Sequence, residues 1–140
     1  MSYTQSADLQ KAVYNALTGN PALMALVTGV YDAPPAGNGV PPTGTYITLG
    51  EEVMRDNSSA SHHGVIVDFD VGIHSDYAGF SVAKEVAGLV EKTLSWQQIP
   101  TPQGTLDLLR FLKSRARRGV APETRRIVLV FRAFLNDATI

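Results

Sequence analysis

A segment with strict alternation of apolar side chains constrains the fold more than any other part of the sequence. From Val65 to His74, an apolar residue stands at every second position. Because successive side chains of a β-strand point to opposite faces, this pattern predicts a strand with one face in the core. The expected core face is Val65, Val67, Phe69, Val71 and Ile73, and the other face carries Ile66, Asp68, Asp70, Gly72 and His74. Burial of the core set contributes roughly 10 kcal/mol before the entropy of ordering is subtracted.

The segments around this strand predict a mixture of helices and further strands. Apolar residues at spacings of three and four mark the helices, and Asn20-Pro21 is typical of a helix start. The predicted helices cover 6–17, 21–27 and 75–94, and the predicted strands cover 45–49, 65–74, 105–113 and 124–135. Adjacent strand pairs joined by hairpins favour an antiparallel sheet. We therefore expect one α+β domain over residues 1–140, with an antiparallel sheet of four strands or slightly more and helices packed on one face.

Three segments between these elements are expected to be loops or turns. Residues 32–44 contain four prolines and three glycines, and residues 50–64 are rich in serine and asparagine. We expect both loops to be mobile in the free subunit and ordered by neighbouring molecules. Residues 115–123 are expected to form a basic turn between the last two strands.

The composition argues against an enzyme. Cysteine is absent, so a disulfide, a thiolate zinc site and a cysteine nucleophile are excluded. No apolar stretch is long enough to span a membrane, and the first ten residues lack the pattern of a signal peptide. The serines at 58, 59 and 61 lack a strand–turn–helix elbow. We expect no catalytic residue, no cofactor and no membrane partner.

One set of side chains has the chemistry of metal ligands, but it lacks a recognised spacing. Its members are His62, His63, His74, Asp68 and Asp70. Two adjacent histidines do not share a helix face as the ligands of a zinc protease do. The pattern therefore favours a solvated or partner-facing strand surface, and we expect no metal.

Charge is distributed unevenly along the chain. Residues 1–109 hold four basic and eleven acidic side chains, a net charge of −7, whereas residues 110–140 hold eight basic and two acidic side chains, a net charge of +6. The basic cluster is compatible with a contact to acidic residues of a neighbouring subunit, with a solvated hairpin tip, or with nucleic-acid binding. A pI near 6.3 and the scarcity of aromatic residues in the cluster favour the protein contact.

The last two predicted strands are apolar on both faces. On the first of these strands, one face carries Leu106, Leu108 and Leu112 and the other face carries Leu109 and Phe111. On the second, one face carries Ile127, Leu129 and Phe131 and the other face carries Val128, Val130 and Phe134. The helices of one chain cover one sheet face, so a second apolar face indicates cover by a neighbouring molecule.

The order of elements resembles the small tail-completion, or tail-terminator, proteins of siphophages and gene transfer agents. The resemblance covers nearly the whole chain and rests on an initial helix, a strand with an acidic turn, a strand leading into a long helix, and a final strand. These segments read DLQKAVYNAL, YITLGEEVMRD, VIVDFDVGIHSDYAGFSVAKEVAGLVEKTL and TRRIVLVFRAFL. The arginines at 115–118 stand where this family would have an Asp-Gly-type turn.

The resemblance implies a structural virion protein at the head-proximal end of the tail, assembled in the host cytoplasm. Such a protein forms a ring, usually a hexamer, which caps the tail tube and presents a surface to the head–tail connector or stopper protein. DNA would pass through the channel without specific binding. A small nucleic-acid-binding module that uses the arginine-rich C-terminal hairpin is the alternative.

Two groups of residues are candidates for this function. The expected contact with the next subunit or with the tail tube consists of Arg110, Arg115, Arg117, Arg118, Arg126, Arg132 and Phe134. The expected acidic lining of the channel consists of Glu51, Glu52, Asp68 and Asp70. Complementary charges orient assembly more than they tighten it.

Overall fold

A computed structural model of the chain describes residues 2–32, 44–61, 63–76, 80–95, 100–101, 104–118 and 124–137. The helices are α1 (Ser2–Thr18), α2 (Pro21–Met24) and α3 (Ser81–Leu94). The strands are β1 (Val30–Tyr31), β2 (Thr45–Asp56), β3 (Gly64–Ser75), β4 (Pro100–Thr101), β5 (Gly104–Arg118) and β6 (Arg125–Asp137). Among the described helices, none has the length and apolar character needed to cross a membrane.

The described strands form one sheet in the order β1-β2-β3-β6-β5-β4. The short β1 pairs with β2 in parallel, and every other pair is antiparallel. Four long strands make up the body of the sheet, and a two-residue strand flanks it on each side. This confirms the predicted α+β fold with an antiparallel sheet slightly larger than four strands.

Strand β3 lies in the middle of the sheet, between β2 and β6. Its predicted core residues are all buried, with exposures of 8% or less. Asp68 and Asp70 lie on the opposite face and are half-buried. The predicted register is therefore confirmed, since a slip by one residue would have exchanged the two faces.

The core lies between the sheet and a layer of helices. Leu9, Val13 and Leu17 of α1 are buried, as are Val86 and Val90 of α3. They pack with the alternate buried residues of β6, which are Ile127, Leu129, Phe131, Ala133 and Leu135. Helices thus cover one face of the sheet, and the other face is left for the candidate site.

Three predicted helix boundaries were wrong. The first helix begins at Ser2 rather than at Ser6. The long helix begins at Ser81 rather than at Ser75. Ser75 instead ends β3, where it lies opposite Arg125 and its hydroxyl is 3.1 Å from that of Thr45. The second helix begins at Pro21 as expected, since Asn20 Oδ1 accepts hydrogen bonds from two backbone amides, but it ends at Met24.

Two strands are longer than predicted. Strand β2 continues to Asp56, so most of the loop expected over 50–64 is strand and only residues 57–63 remain between β2 and β3. Strand β5 continues to Arg118, so the arginines expected in a turn lie in a strand. The rest of that turn, 119–123, and the expected loop over 33–43 lie outside the described residues.

Candidate functional site

The sheet face opposite the helices is the candidate site, and we call it the open face. In strand register it is formed by Glu51 and Val53 of β2, Asp68 and Asp70 of β3, Arg126, Val128, Val130 and Arg132 of β6, and Lys113, Arg115 and Arg117 of β5. These side chains line one groove across the sheet. Acidic residues predominate on the β2–β3 half, which also carries Arg55, and basic residues predominate on the β5–β6 half. The charge division of the sequence therefore becomes a division across one surface.

A single ion pair joins the two halves among the described residues. Arg132 donates from Nε to Asp68 Oδ1 at 2.7 Å and from Nη2 to Asp68 Oδ2 at 2.9 Å. This bidentate hydrogen bonding lowers the pKa of Asp68 and raises that of Arg132. Both side chains are about a quarter exposed, at 26% and 27%. Arg132, a predicted contact residue, is therefore already neutralised within its own chain.

Three pairs of arginines stand directly opposite each other across β5 and β6. They are Arg110 with Arg132, Arg117 with Arg126, and Arg118 with Arg125. Like charges in directly opposed positions destabilise a sheet. Among the described residues, no acidic side chain forms a salt bridge with Arg115, Arg117, Arg118 or Arg126. The end of this hairpin therefore suits a partner that brings negative charge.

The structure brings most of the predicted contact residues to one face. Arg110, Arg115, Arg117, Arg126, Arg132 and Phe134 share the open face through their strand register. Arg118 does not join them, because it lies one position further along β5 and points to the helix side. The apolar part of this face includes Leu112, Val128 and Val130, which are half-buried.

The four predicted acidic residues do not share a face. Glu51, Asp68 and Asp70 lie on the open face. Glu52 lies opposite Phe69, on the helix side, where the hydroxyl of Ser6 is 2.6 and 2.9 Å from its two carboxylate oxygens. A shift of register between Leu49 and Glu52 produces this arrangement, since a bulge changes which residues face each side.

Asp70 differs from Asp68 in its surroundings. Burial raises the pKa of Asp70, and the nearby carboxylate of Glu51 raises it further. No described residue forms a hydrogen bond with its carboxylate. Asp70 forms no ion pair within the described residues, and the more distant Arg126 and Lys113 only partly offset the rise of its pKa.

Sequence reasoning missed a polar cluster at the end of the open face. The rings of His74 and Tyr46 stack with their centroids 4.7 Å apart, and His74 Nε2 lies 2.9 Å from Thr48 Oγ1. Burial, with a smaller effect of Arg126, lowers the pKa of His74 to about 4. Gly72 makes room for this cluster, because a Cβ there would lie 2.7 Å from Thr48 Oγ1 and 3.0 Å from His74 Nε2.

The metal-like set of the sequence does not assemble in the described part of the chain. No group of three possible ligands is found there. His74 is held by Tyr46 and Thr48 instead, and His62 lies outside the described residues. Only the strand pairing reveals this cluster, since Tyr46 and His74 are directly opposed across β2 and β3.

The ion pair between Asp68 and Arg132 provides a stability prediction. We expect Asp68→Asn and Arg132→Gln to lower the free energy of unfolding, and a double-mutant cycle to give a coupling energy of about 0.5–1 kcal/mol, because the pair is bidentate but partly exposed. Urea denaturation of the wild type, the two single variants and the double variant at pH 7 measures this coupling energy. Raised salt should reduce the coupling, and a coupling of zero at low salt would contradict the geometry.

Comparison with known proteins gives matches along almost the whole chain. A family model described as "Tail completion protein gp17" matches residues 11–136. A chain in a solved structure described as "Virion of native gene transfer agent (GTA) particle" is 41% identical, with a TM-score of 0.85, and the match covers 94% of this chain and 96% of that one. No curated protein matches.

Proposed function

We propose a role for this chain that starts from its family: the chain belongs to the family of tail completion protein gp17. We propose that it is a structural virion protein whose subunits form a ring that closes the head-proximal end of a phage-type tail tube. The similar chain from the gene transfer agent particle supports a place in a virion, because it matches this chain over nearly its full length. We propose that the protein has no catalytic activity and binds no cofactor.

The observation that best supports a ring is the division of charge across the open face. An acidic half and a basic half on one surface favour contact between unlike ends of two subunits. Such head-to-tail contacts give a closed ring when the rotation between neighbours closes. Arg115, Arg117 and Arg126, which form no salt bridge within the described residues, would then receive their counter-charges from the next subunit.

The proposed ring contacts the tail tube on one side and the head–tail connector or stopper protein on the other, and a hexamer is the expected ring size. DNA would pass through the channel without specific binding. Of the acidic residues expected to line that channel, Glu51, Asp68 and Asp70 share the open face. Glu52 also borders the groove, but its carboxylate lies at Ser6 on the helix side. The lining that we propose therefore consists of those three residues.

Nucleic-acid binding is the second candidate, and the arginines of the β5–β6 hairpin favour it. Against it, the same face presents Glu51 and Asp70, which would repel phosphates. A salt titration separates the two functions, since phosphate contacts make the affinity fall steeply as salt rises. Tight, steeply salt-dependent binding of duplex DNA by the purified protein would favour this alternative.

Charge reversal at Arg126 tests the ring. We expect Arg126→Glu to leave the subunit folded, because it replaces a like-charged pair with Arg117 by an opposite pair. We expect the same change to impair ring formation and to yield tails of abnormal length. Arg126→Ala should have a weaker effect, since an exposed pair contributes only about 0.2–1 kcal/mol.

The measurements are the mass of the protein in solution and on tail tubes, and the distribution of tail lengths in assembled particles. Lys92→Glu on α3 is the control, because Lys92 is exposed on the helix layer and the charge change is the same. Normal tails that join heads at wild-type efficiency in the Arg126→Glu particles would refute the assignment.

A further inference from the structure

The sheet has two long open edges within the described residues. On β2, the short β1 pairs only with Ile47 and Thr48, so the stretch 50–56 has a strand neighbour on one side alone. On β5, β4 pairs only with Gly104 and Thr105, so the stretch 106–118 is open in the same way. An open edge is a template for pairing with another chain.

Backbone groups of the β2 edge point away from the sheet. The amide of Asn57 donates to the carbonyl of Gly64 at 2.9 Å, toward β3. Because neighbouring residues of a strand direct their backbone groups to opposite sides, Asp56 and Met54 direct theirs outward. Val53 beside them is 70% exposed, which is unusual for a large aliphatic residue in a strand. This edge thus offers both hydrogen-bonding groups and an apolar side chain.

The two edges carry opposite charge. The stretch 50–56 holds three acidic residues and one basic residue, whereas the stretch 110–118 holds five basic residues and no acidic one. Two β2 edges would repel each other, and so would two β5 edges. Pairing of β2 with β5 of another copy is the combination that charge favours. Charged edges also protect monomers from aggregation, but protection alone does not require opposite signs on the two edges.

We propose that the β2 edge over 50–56 of one subunit pairs with the β5 edge over 112–118 of the next, so that the sheet continues from subunit to subunit. The inference rests on the proposed ring and specifies its interface. Each subunit uses two different edges, which makes the contact head-to-tail. Main-chain hydrogen bonds join the strands. On the open face Arg115 and Arg117 would meet Glu51, and on the helix side Arg118 would meet Glu52 and Asp56.

Two variants, each with one edge blocked, test this pairing. Met54→Pro blocks β2, since strand alternation directs the amide of Met54 outward and proline is tolerated at strand edges. Arg115→Glu with Arg117→Glu reverses the β5 edge, and it also removes the like-charged pair of Arg117 with Arg126. Lys11→Glu with Lys92→Glu is the control, because both lysines are exposed on helices and the charge change is equal.

The expected result is that each blocked variant is a folded monomer and that an equimolar mixture of the two forms a one-to-one dimer and nothing larger. The intact β5 of one variant would pair with the intact β2 of the other. The control should form rings as the wild type does. Native mass spectrometry gives the masses, and circular dichroism checks that each variant is folded.

Exchange of backbone amide hydrogens gives a second readout, which side-chain contact alone would not change. Assembly of the wild type should slow exchange of the Met54 and Asp56 amides by roughly tenfold or more, because they become paired. Rings formed by both blocked variants, or unchanged exchange at these amides in the wild-type ring, would overturn the edge pairing and leave the ring itself standing. A wild type that stays monomeric both in solution and on tail tubes would instead overturn the proposed function.

Discussion

Phe131→Ala is expected to lower the free energy of unfolding of the isolated subunit by about 3–5 kcal/mol, the typical loss for truncation of a buried phenylalanine. Phe131 is fully buried on β6, with its ring centroid 5.7 Å from that of Phe69 and 5.8 Å from that of Phe111. Removal of the ring leaves a cavity where the core faces of β3, β6 and β5 meet. Since a domain is stable by only about 5–15 kcal/mol, a large part of the stability would be lost.

Phe134→Ala is the matched control, because Phe134 is on the same strand but is half-buried on the open face. We expect it to cost roughly 1 kcal/mol in the monomer. Urea denaturation below the assembly concentration measures both variants, and the midpoint should fall with little change in slope. Equal losses for the two variants would contradict the division of the sheet into a core face and an open face.

The sequence predicted the central part of the fold because burial there follows a simple period. Strand β3 is paired on both sides and packed by helices on one face, so its buried residues alternate from Val65 to Ile73, except that Gly72 on the other face is buried as well. The same is true of β6 from Ile127 to Leu135. In these strands the face of each residue could be assigned from the sequence alone.

The edges of the sheet were harder to predict, for physical reasons. The second half of β2 is largely exposed, so residues 50–56 show no apolar period and their composition predicts a loop. The exposed end of β5 has a composition that predicts a turn for the same reason. The bulge that turns Glu52 toward Ser6 has no signature in composition, and the opposed arginines appear only when the register of β5 on β6 is known.

Loss of stability in mild acid is the second large effect that we expect, and it comes from His74. Burial, followed by Arg126, lowers its pKa to about 4 in the folded chain, whereas an unfolded histidine has a pKa near 6.5. Between these values the unfolded chain binds a proton at His74 that the folded chain does not. Stability therefore falls as the pH falls from about 6.5 to about 4, by an amount on the order of 2 kcal/mol because solvent screens the partly exposed ring, and this group adds no further loss at lower pH.

Other groups on the same face act in different directions or pH ranges. The raised pKa of Asp70 means that the folded chain takes up a proton before the unfolded chain does, which offsets part of the loss just above pH 4. The lowered pKa of Asp68 removes stability only below about pH 3.9. The variant Asp70→Asn therefore isolates the contribution of His74.

His74→Gln should flatten the dependence of unfolding free energy on pH between about 4 and 6.5, because glutamine does not titrate there. It should also lower the stability at pH 7 through the lost stacking on Tyr46, so the slope and not the absolute value is the readout. His63→Gln is the matched control, since it makes the same substitution at a histidine that is exposed between β2 and β3. Arg126→Gln should make the slope shallower, because it removes a positive charge that opposes protonation of His74.

Urea denaturation of the monomer at half-unit pH steps measures the unfolding free energy of the wild type and of these three variants. A wild-type slope that persists in His74→Gln would place the acid sensitivity in other residues and would contradict the buried neutral imidazole.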